Sequence, residues 1–427
     1  MPEVRAKDVR PGSVIELPQS KTQVIVMGSR LVEYSKEVEI QPASFHKEQF
    51  VVSPVKRFGI DIPIKVVEAK NTLDEINKVI KAKSIYLPYR GYISGADPEI
   101  FVIDSSGEVL PAWCFLPAKE KVDKNAATPC FWDGFQAEFA PWAKGCLEEF
   151  GDEIREGLVR VLRSARQLNP SAKLTLSNTV KLSDALLKQA TDDQIRFRCS
   201  SSYNVYHDAG CPPPDPRSYP YRFAGGHIHI GHGCKLPGVV ISEVIKGLDA
   251  ILGVIGVSMS AGIDSPERRT MYGRAGEFRL PPHGIEYRVL SNFWLSHPCI
   301  YHLVFELMRL TCRMAITGVY QICWDAKEEQ TREVINNNDI NGARKILETN
   351  KHVILCMINN VWGTGKISDM AVRTIFNGIE AAVKDPLDIE DNWDLGGKRW
   401  KRMGKQPGGS WASQVQSALC PAQSVKG

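Results

Sequence analysis

Apolar residues recur at helical spacing through much of the chain beyond residue 145, which predicts a set of amphipathic helices. The clearest pattern covers Leu147–Leu168. Its apolar stripe consists of Leu147, Phe150, Ile154, Leu158, Val161, Leu162, Ala165 and Leu168. Further helices are predicted at residues 182–190, 239–260, 298–317, 339–349 and 367–383. The most apolar of them, 239–260, carries Glu243, Lys246 and Asp249 and therefore predicts a buried core helix, not a membrane span.

Residues 1–88 show a different pattern, in which short apolar runs alternate with turn signals. The runs SVIEL, TQVIVMG and EVEIQ are separated by sequences such as RPG and MGS, which is typical of a small β-rich module. One amphipathic helix is predicted to follow at residues 72–83. No pattern in this segment indicates chemistry. Its role is open, and oligomerisation or partner binding is one alternative.

Two segments predict irregular structure. Residues 209–220 contain CPPPDP, and this density of proline excludes both a helix and a central strand. Such a long loop is either a connector or a cover for a functional site. Residues 386–427, with LGGKRWKRMGKQPGGS, predict a basic tail that is either solvated or in contact with an acidic partner. The predicted organisation is therefore a module at 1–88, a main domain at 89–385 and a tail at 386–427.

The overall charge is nearly balanced, with 53 lysines and arginines against 49 aspartates and glutamates in 427 residues, a net charge of +4. This composition argues against a dedicated polyanion-binding protein, so no nucleic-acid partner is expected. The 11 cysteines form no CxxC pair and predict reduced thiols, not a disulfide framework. The first residues lack the apolar segment of a signal peptide. We therefore expect a cytoplasmic protein without a membrane span.

Five short segments each place two polar or ionisable residues at positions i and i+2, among apolar residues or turn signals. The pairs are Asp97/Glu99, Gln136/Glu138, His227/His229, Glu277/Arg279 and Glu286/Arg288. Residues two apart in a strand point to the same face, so each pair would lie on one face and its apolar neighbours on the other. The simplest fold is of the α+β class: one antiparallel or mixed sheet, charged on one face and covered by helices on the other.

Taken singly, each pair is more typical of half-exposed, solvated charges. Together they place several carboxylates on one face, where these would repel one another unless cations were bound between them. Those carboxylates belong to Asp97, Glu99, Glu138 and Glu286. Mg²⁺ takes oxygen ligands and bridges to substrate phosphates, and arginines bond phosphate oxygens bidentately. The candidate arginines are Arg268, Arg269, Arg274, Arg279 and Arg288. This combination predicts a nucleotide-dependent phosphoryl-transfer site.

Signatures of other chemistries are missing or weak. The sequence has no GxxxxGK[ST] loop, no GxGxxG fingerprint after a strand, no GxSxG elbow and no HExxH helix. A zinc site from His227, His229 and His232, as in a metal-dependent hydrolase, is an alternative because an HxH strand suits zinc. The surrounding carboxylates and arginines favour magnesium and phosphate.

The ordered motifs GADPEIFV, DGFQAEF, GGHIHIG, RRTMYGRAGEFR and GIEYRVLSNFWL resemble those of the phage-borne carboxylate–amine ligases. These amidoligases are assigned to the glutamine synthetase-like superfamily, alongside glutamate–cysteine ligase. The resemblance extends from about residue 95 to about residue 295. It implies a curved, mainly antiparallel sheet with helices on its convex face, whose concave face binds ATP and two or three divalent cations, Mg²⁺ or Mn²⁺. In the implied reaction ATP phosphorylates a carboxylate, and an amine attacks the acyl phosphate to form an amide.

The resemblance also implies roles for individual residues. Metal ligands are implied at Asp97, Glu99, Glu138, His227 and Glu286. Nucleotide or phosphate contacts are implied at His229, Arg268, Arg269, Arg274 and Arg288. The implied catalytic residues are Arg288, Glu286 and Arg279. The first strand departs from the family in carrying aspartate at position 97 in place of glutamate, a shorter side chain that would alter one metal site.

The substrates stay open, because no substrate loop or ammonia-binding residues like those of glutamine synthetase are recognisable. We expect a small-molecule or peptide carboxylate and an amine, joined in the host cytoplasm if a phage encodes the protein. Family members often assemble into rings or dimers, so a homo-oligomer is among the alternatives. Two other functions compete with a ligase: a phosphotransferase on the same fold, like the guanidino kinases, and a non-catalytic structural or assembly protein.

Overall fold

A computed structural model of the protein describes residues 3–6, 14–21, 23–31, 37–46, 49–52, 56–59, 61–68, 93–123, 128–197, 202–206, 214–231, 238–316, 324–351, 353–354 and 388–397. The helices predicted at 72–83 and 367–383 lie outside the described residues, as do residues 398–427 of the predicted tail.

The N-terminal part forms a seven-stranded antiparallel sheet. Its strands are β1 (Glu3–Arg5), β2 (Val14–Glu16), β3 (Gln23–Leu31), β4 (Glu37–His46), β5 (Gln49–Val52), β6 (Lys56–Gly59) and β7 (Pro63–Glu68). They follow the order β1-β7-β2-β3-β4-β5, and β6 pairs with β4. The small apolar core consists of Ala6, Ile15, Leu17, Phe58 and Ile64. Strands β2, β3 and β4 coincide with the predicted runs SVIEL, TQVIVMG and EVEIQ, so this part of the chain is β-rich as predicted.

The other described strands form further antiparallel sheets. They are β8 (Ile93–Ala96), β9 (Glu99–Ile103), β10 (Cys130–Asp133), β11 (Gln136–Phe139), β12 (Lys173–Thr175), β13 (Thr179–Lys181), β14 (Tyr203–Asn204), β15 (Tyr221–Phe223), β16 (Ile228–Gly231), β17 (Glu277–Arg279) and β18 (Gly284–Tyr287). A four-stranded sheet has the order β10-β11-β9-β12, a five-stranded sheet has the order β14-β17-β18-β16-β8, and β13 pairs with β15.

The α+β class is therefore as predicted, but the prediction that one sheet carries all the polar pairs is wrong. The polar pairs are divided between the four-stranded and the five-stranded sheet, since β9 and β11 belong to the first and β16, β17 and β18 to the second. The division falls at Pro98, between β8 and β9. Proline has no N–H to donate to a strand ladder, so one continuous strand through residues 93–103 is disfavoured.

The helices follow the apolar periodicity closely. They are α1 (Leu147–Leu168), α2 (Asp184–Gln189), α3 (Asp192–Ile195), α4 (Gly238–Leu248), α5 (Val254–Met259), α6 (Pro266–Met271), α7 (Pro298–Ile316), α8 (Glu328–Asn336), α9 (Ile340–Thr349) and α10 (Ile389–Asn392). A π-helical segment, Asp249–Gly253, joins α4 to α5, and short 3₁₀ helices occur at Ala112–Cys114, Lys119–Lys121 and Asn292–Ser296. None of the described helices is long and apolar enough to cross a membrane.

Helix α1 has the bounds that its apolar stripe predicted, and the stripe is buried except at its last residue, Leu168, which is 53% exposed. At Gly157 the helix comes very close to β11, because an added Cβ would lie 2.2 Å from Cδ2 of Phe139. The helix and the strand that carries Glu138 are thus packed without space for even one methyl group.

The beginning of the predicted tail packs into the main core. Ile389 and Trp393 are at most 1% exposed, and Leu395 is 9% exposed. Trp393 donates from its indole N–H to Leu295 O at 2.6 Å, and its ring lies 6.0 Å from that of Tyr301. Residues 388–397 precede the basic run, and their apolar side chains belong to the core, so this segment is not part of a solvated tail.

Candidate functional site

The two sheets of the main part meet at residues 97–99, between β8 and β9. Glu99 donates its backbone N–H to Gly225 O at 3.0 Å, and Gly225 donates its own N–H to Glu99 Oε2 at 2.7 Å. A Cβ at position 225 would lie 2.8 Å from His227 Nε2, so only glycine fits this approach. These contacts place the HxH segment directly beside the acidic segment.

Asp97, His229 and Glu286 form the first of two groups of side chains that could hold a metal ion, and we call it the first cluster. One ligand atom from each lies within 4.8 Å of the others. His229 and Glu286 are directly opposed on β16 and β18, and Gly95 of β8 opposes His229 on its other side. Asp97 follows β8, which brings its Oδ1 to 3.3 Å from His229 Nε2. Strand register therefore assembles the cluster from residues far apart in the sequence.

His227 lies at the edge of the first cluster. Its Nδ1 is 3.6 Å from both Asp97 Oδ1 and Glu286 Oε1, and its ring meets that of Tyr272 edge-on, with centroids 5.7 Å apart. Three buried atoms, Asp97 Oδ1, His227 Nε2 and His229 Nε2, make no hydrogen bond with any described residue. Buried polar atoms without partners are costly, and a bound cation would satisfy those that present a lone pair.

Burial and the attraction between Asp97 and the two histidines determine the pKa values in the first cluster. Burial would raise the pKa of Asp97, but His229 and His227 hold it well below its usual range. Burial would lower the pKa of His229, but Asp97 raises it. The pKa of His227 is lowered by burial and by Arg288. An ionised carboxylate and a neutral imidazole are the forms that bind metal ions, and Asp97 and His227 both have them at neutral pH.

Two arginines share the carboxylate of Glu286. Arg279, opposite on β17, donates from Nε to Glu286 Oε2 at 2.8 Å and from Nη2 to Oε1. Arg288 Nε lies 3.3 Å from Glu286 Oε1, and Arg288 Nη1 donates to Ser202 Oγ at 2.7 Å. Glu286 and Arg288 are 3% and 2% exposed, so this pair is not the solvated pair that a lone ExR motif usually forms. The three residues predicted as catalytic meet at one carboxylate.

Glu99, Asp133 and Glu138 form the second cluster, again with one ligand atom from each within 4.8 Å of the others. Glu99 and Glu138 are opposed on β9 and β11, and Asp133 ends β10. Burial and Asp133 raise the pKa of Glu99 to about 8. Burial and Asp97 raise the pKa of Glu138 well above its usual range. Carboxylates this close repel one another, so the charge on each raises the pKa of its neighbours, and a nearby cation relieves the repulsion.

Sequence reasoning did not identify two residues of this region, Asp133 and Lys119. Asp133 stands in the motif DGFQAEF, at the hairpin turn before β11, where aspartate is common for conformational reasons alone. Lys119 Nζ lies 3.2 Å from Glu138 Oε1. Its segment precedes β10 and carries no spacing signal that points to Glu138. Gln136, the other member of the sequence pair Gln136/Glu138, is buried on the same strand, β11.

The structure places Arg268 and Arg269, predicted as phosphate contacts, in a buried ion-pair group on α6. Arg268 Nε and Arg269 Nη2 each lie 2.9 Å from an oxygen of Asp264. Both arginines also donate to Val289 O. Burial would raise the pKa of Asp264, but the two arginines hold it far below its usual range. The side-chain hydrogen bonds of the two arginines in the described residues go to Asp264, Val289 and Gly273 and not to a member of either cluster. Arg274 is half-buried in the loop between α6 and β17.

The described end of the Pro-rich loop, residues 214–220, reaches the site through a row of aromatic rings. The ring of Tyr219 is 6.3 Å from that of Phe223, and Phe223 is 6.4 Å from Tyr272. Tyr272 in turn contacts His227 at the first cluster. The loop end is thus packed against the side of the site.

Arg222 anchors this loop end. It donates to Pro216 O and Tyr219 O, each at 2.7 Å, and its guanidinium lies 4.6 Å from the ring centroid of Phe197. Burial lowers the pKa of Arg222 to about 10. Its hydrogen-bond acceptors in the described residues are carbonyl groups, which hold the loop end in one conformation.

Comparison with known families agrees with the motifs. Residues 185–394 match the family described as phage phiEco32-like COOH.NH2 ligase-type 2. The comparison with curated proteins gave no match. The resemblance to phage-type carboxylate–amine ligases is thereby confirmed over these residues. The matched range includes His227, His229, Glu286 and Arg288. The residues of the site that precede it are Asp97, Glu99, Lys119, Asp133 and Glu138.

Proposed function

We propose that this protein, whose residues 185–394 match the phage carboxylate–amine ligases, is an ATP- and Mg²⁺-dependent ligase that forms an amide through an acyl phosphate. The observation that carries the proposal is the relation between the two clusters. Asp97 belongs to the first and Glu99, two positions further on, to the second. Two cations bound there would lie side by side at the junction of the two sheets. Adjacent divalent cations are a common means of orienting and neutralising a nucleoside triphosphate.

The donor atoms of both clusters fit Mg²⁺ or Mn²⁺. The second cluster offers carboxylate oxygens alone, which hard cations prefer. The first offers two carboxylates and one imidazole, and its atoms Asp97 Oδ1 and His229 Nε2 are buried without a hydrogen bond to any described residue. Cations at these positions would screen the charge of the ATP phosphates and polarise the bond that is broken.

Arg279 and Arg288 supply positive charge for the transferred phosphoryl group. Arg288 is buried, and its bond to Ser202 together with its contact to Glu286 fixes its guanidinium before a substrate binds. Preorganised donors of this kind stabilise charge that develops in a transition state. The side chain of Arg279 is 32% exposed, so it lies where the buried pair meets the surface. Phosphorylation converts the substrate carboxylate into an acyl phosphate, which has the leaving group that an amine needs for attack.

An acyl phosphate is lost to hydrolysis if water reaches it. In our proposal the loop end at residues 214–220 shields the site. Its support is the row of rings from Tyr219 to Tyr272 and the anchoring of the loop end by Arg222. This function for the Pro-rich segment agrees with the cover alternative from the sequence.

The test is to incubate the purified full chain with ATP, Mg²⁺ and a cell extract as a source of substrates. We expect release of ADP and, by mass spectrometry, new products whose masses equal two extract components less one water. With a carboxylate substrate labelled with ¹⁸O, an acyl phosphate transfers label to the released phosphate. Glu286→Gln should abolish both signals, and Glu156→Gln, a surface carboxylate on α1, should leave them unchanged.

Two results would contradict the proposal. A stable phosphorylated product without an amide would identify a phosphotransferase instead. Absence of ADP release under all these conditions, from protein that is folded by circular dichroism, would favour the non-catalytic alternative.

A further inference from the structure

We propose that Lys119 competes, within the molecule, with the divalent cation of the second cluster. Its ammonium group neutralises Glu138 while no cation is bound and withdraws into solvent when one binds. The inference rests on the proposed function, because it requires a cation at Glu99, Asp133 and Glu138. It adds a property that the ligase chemistry does not demand, namely that the chain itself lowers the affinity of one cation site.

The position of the ammonium group is well defined. Lys119 Nζ lies 3.2 Å from Glu138 Oε1 and 4.6 Å from the centroid of the Phe131 ring. Phe131 and Glu138 are directly opposed on β10 and β11, so the ammonium sits between an aromatic face and a carboxylate. A cation held by the three carboxylates would lie within a few ångströms of Nζ and would be repelled by it.

The two partners differ in their freedom to move. The side chain of Glu138 is 9% exposed, whereas that of Lys119 is 60% exposed. Glu138 is fixed on a central strand of the four-stranded sheet, and Lys119 lies on the short 3₁₀ helix Lys119–Lys121 outside it. The lysine can therefore swing into water, where its ammonium is fully hydrated, without disturbing the sheet.

Among the residues that the structure describes, no comparably exposed lysine pairs with a carboxylate of the first cluster. Its carboxylate Glu286 is held by Arg279 through two bonds and contacts Arg288, whose side chain is 2% exposed. A bidentate arginine and a buried one cannot withdraw at the small cost of an exposed lysine. The competition is thus specific to the second cluster.

The experiment is a titration of the full chain with Mn²⁺, without nucleotide, followed by electron paramagnetic resonance of the free ion. Lys119→Met should bind Mn²⁺ about threefold to tenfold more tightly than the wild type, because a repelling charge has been removed. Lys119→Arg, which keeps that charge, should bind as the wild type does. Lys121→Met, the same change at an exposed lysine on the same 3₁₀ helix, should also leave the affinity unchanged.

Thermal unfolding gives a second readout. Without Mn²⁺, Lys119→Met should have a lower Tm than the wild type, because Glu138 has lost its counter-ion. Saturating Mn²⁺ should then raise the Tm of Lys119→Met more than that of the wild type. A purely structural ion pair would lower the Tm of the metal-free protein without making the cation bind more tightly.

Unchanged or weaker Mn²⁺ binding by folded Lys119→Met would overturn the inference. If the wild type still forms an amide from ATP, carboxylate and amine, only this inference fails and the proposed function stands. If neither protein binds Mn²⁺ and no ADP is released, the proposed function fails with it.

Discussion

Arg279 and Glu286 face each other across β17 and β18, and two nitrogen atoms of Arg279 donate to the two oxygen atoms of Glu286. This bidentate contact fixes the plane of the Glu286 carboxylate. The side chain of Glu286 is 5% exposed and that of Arg279 is 32% exposed, so the arginine reaches from a buried carboxylate of the first cluster to the surface. The orientation of that carboxylate is therefore set by the neighbouring strand.

Arg279→Lys tests this orientation, because lysine keeps the charge but has no planar fork. We expect a loss of turnover of about 10- to 100-fold. The free energy of unfolding should change little, since lysine keeps a positive charge beside Glu286 at a partly exposed position. ADP release and chemical denaturation measure the two quantities. Arg160→Lys, at an exposed ion pair on α1, is the matched control and should behave as the wild type. Full activity of Arg279→Lys would show that the bidentate contact is not needed.

Arg288→Ala should reduce ADP release by at least about 100-fold, because the variant loses a buried, oriented charge beside the proposed phosphoryl group. The fold should persist, since Arg279 still pairs with Glu286. Arg163→Ala, an exposed arginine of α1, controls for the loss of an arginine as such. Wild-type turnover by folded Arg288→Ala would remove this residue from the site.

The buried ion pairs of Asp264 with Arg268 and Arg269 should contribute to the stability of the fold rather than to turnover. Asp264→Asn leaves Arg268 and Arg269 buried without their counter-ion, so we expect the free energy of unfolding to fall by about 3–5 kcal/mol. Urea denaturation measures the loss. The residual folded protein at low temperature should retain its kcat, whereas arginines that bound phosphate directly would lose kcat as well. Asp193→Asn, at an exposed residue of α3, serves as the control.

The sequence predicted those features of the fold that depend on local pattern. Helix α1 begins and ends as its apolar stripe predicted, because every residue of the stripe except Leu168 is buried in the same core. The Glu286/Arg288 pair was found because it lies within one short motif. The cluster to which Glu286 belongs was not predicted in full, since the opposition of His229 to Glu286 is a register between two strands.

The partners of several charged residues could not be predicted from the sequence. Asp133 joins the second cluster only through strand pairing, and no single-sequence pattern reports it. The pairing of Arg268 with Asp264 did leave a signal, because the two residues are four apart at the start of α6. Family resemblance assigned Arg268 and Arg269 to phosphate, and Asp264 was not considered as their partner. That resemblance indicated a candidate site but not the partner of each charge.

Gly157→Ala should destabilise the protein by at least about 1–3 kcal/mol, because its Cβ would lie 2.2 Å from the ring of Phe139 in a packed core. Phe139 and Glu138 are neighbours on β11, so displacement of the ring should also weaken Mn²⁺ binding at the second cluster. Gly145→Ala is the control, since nothing lies within 4 Å of a Cβ there. Equal stability of the two variants would show that α1 and β11 have room to move apart.

The buried pair of Asp249 and Tyr287 predicts a dependence of stability on pH. Asp249 lies in the π-helical segment, and its Oδ1 accepts a hydrogen bond of 2.7 Å from the Tyr287 hydroxyl. Burial raises the pKa of Asp249 from 3.8 to about 7. Between these values the unfolded chain has released the proton that the folded protein still holds. The contribution of Asp249 to the free energy of unfolding is therefore complete below about pH 4 and decreases as the pH rises towards about 7.

Asp249→Asn removes this titration and keeps an oxygen that can accept from Tyr287. The variant should therefore gain stability relative to the wild type as the pH rises from about 5 to about 7.5, and the difference should level off above that range. Urea denaturation at several pH values measures it, with Asp193→Asn, an exposed residue of α3, as the control. If the difference in stability between wild type and Asp249→Asn did not change with pH, Asp249 would be ionised in the folded protein over the whole range. The hydroxyl of Tyr287, the residue between Glu286 and Arg288, would then donate to a charged carboxylate.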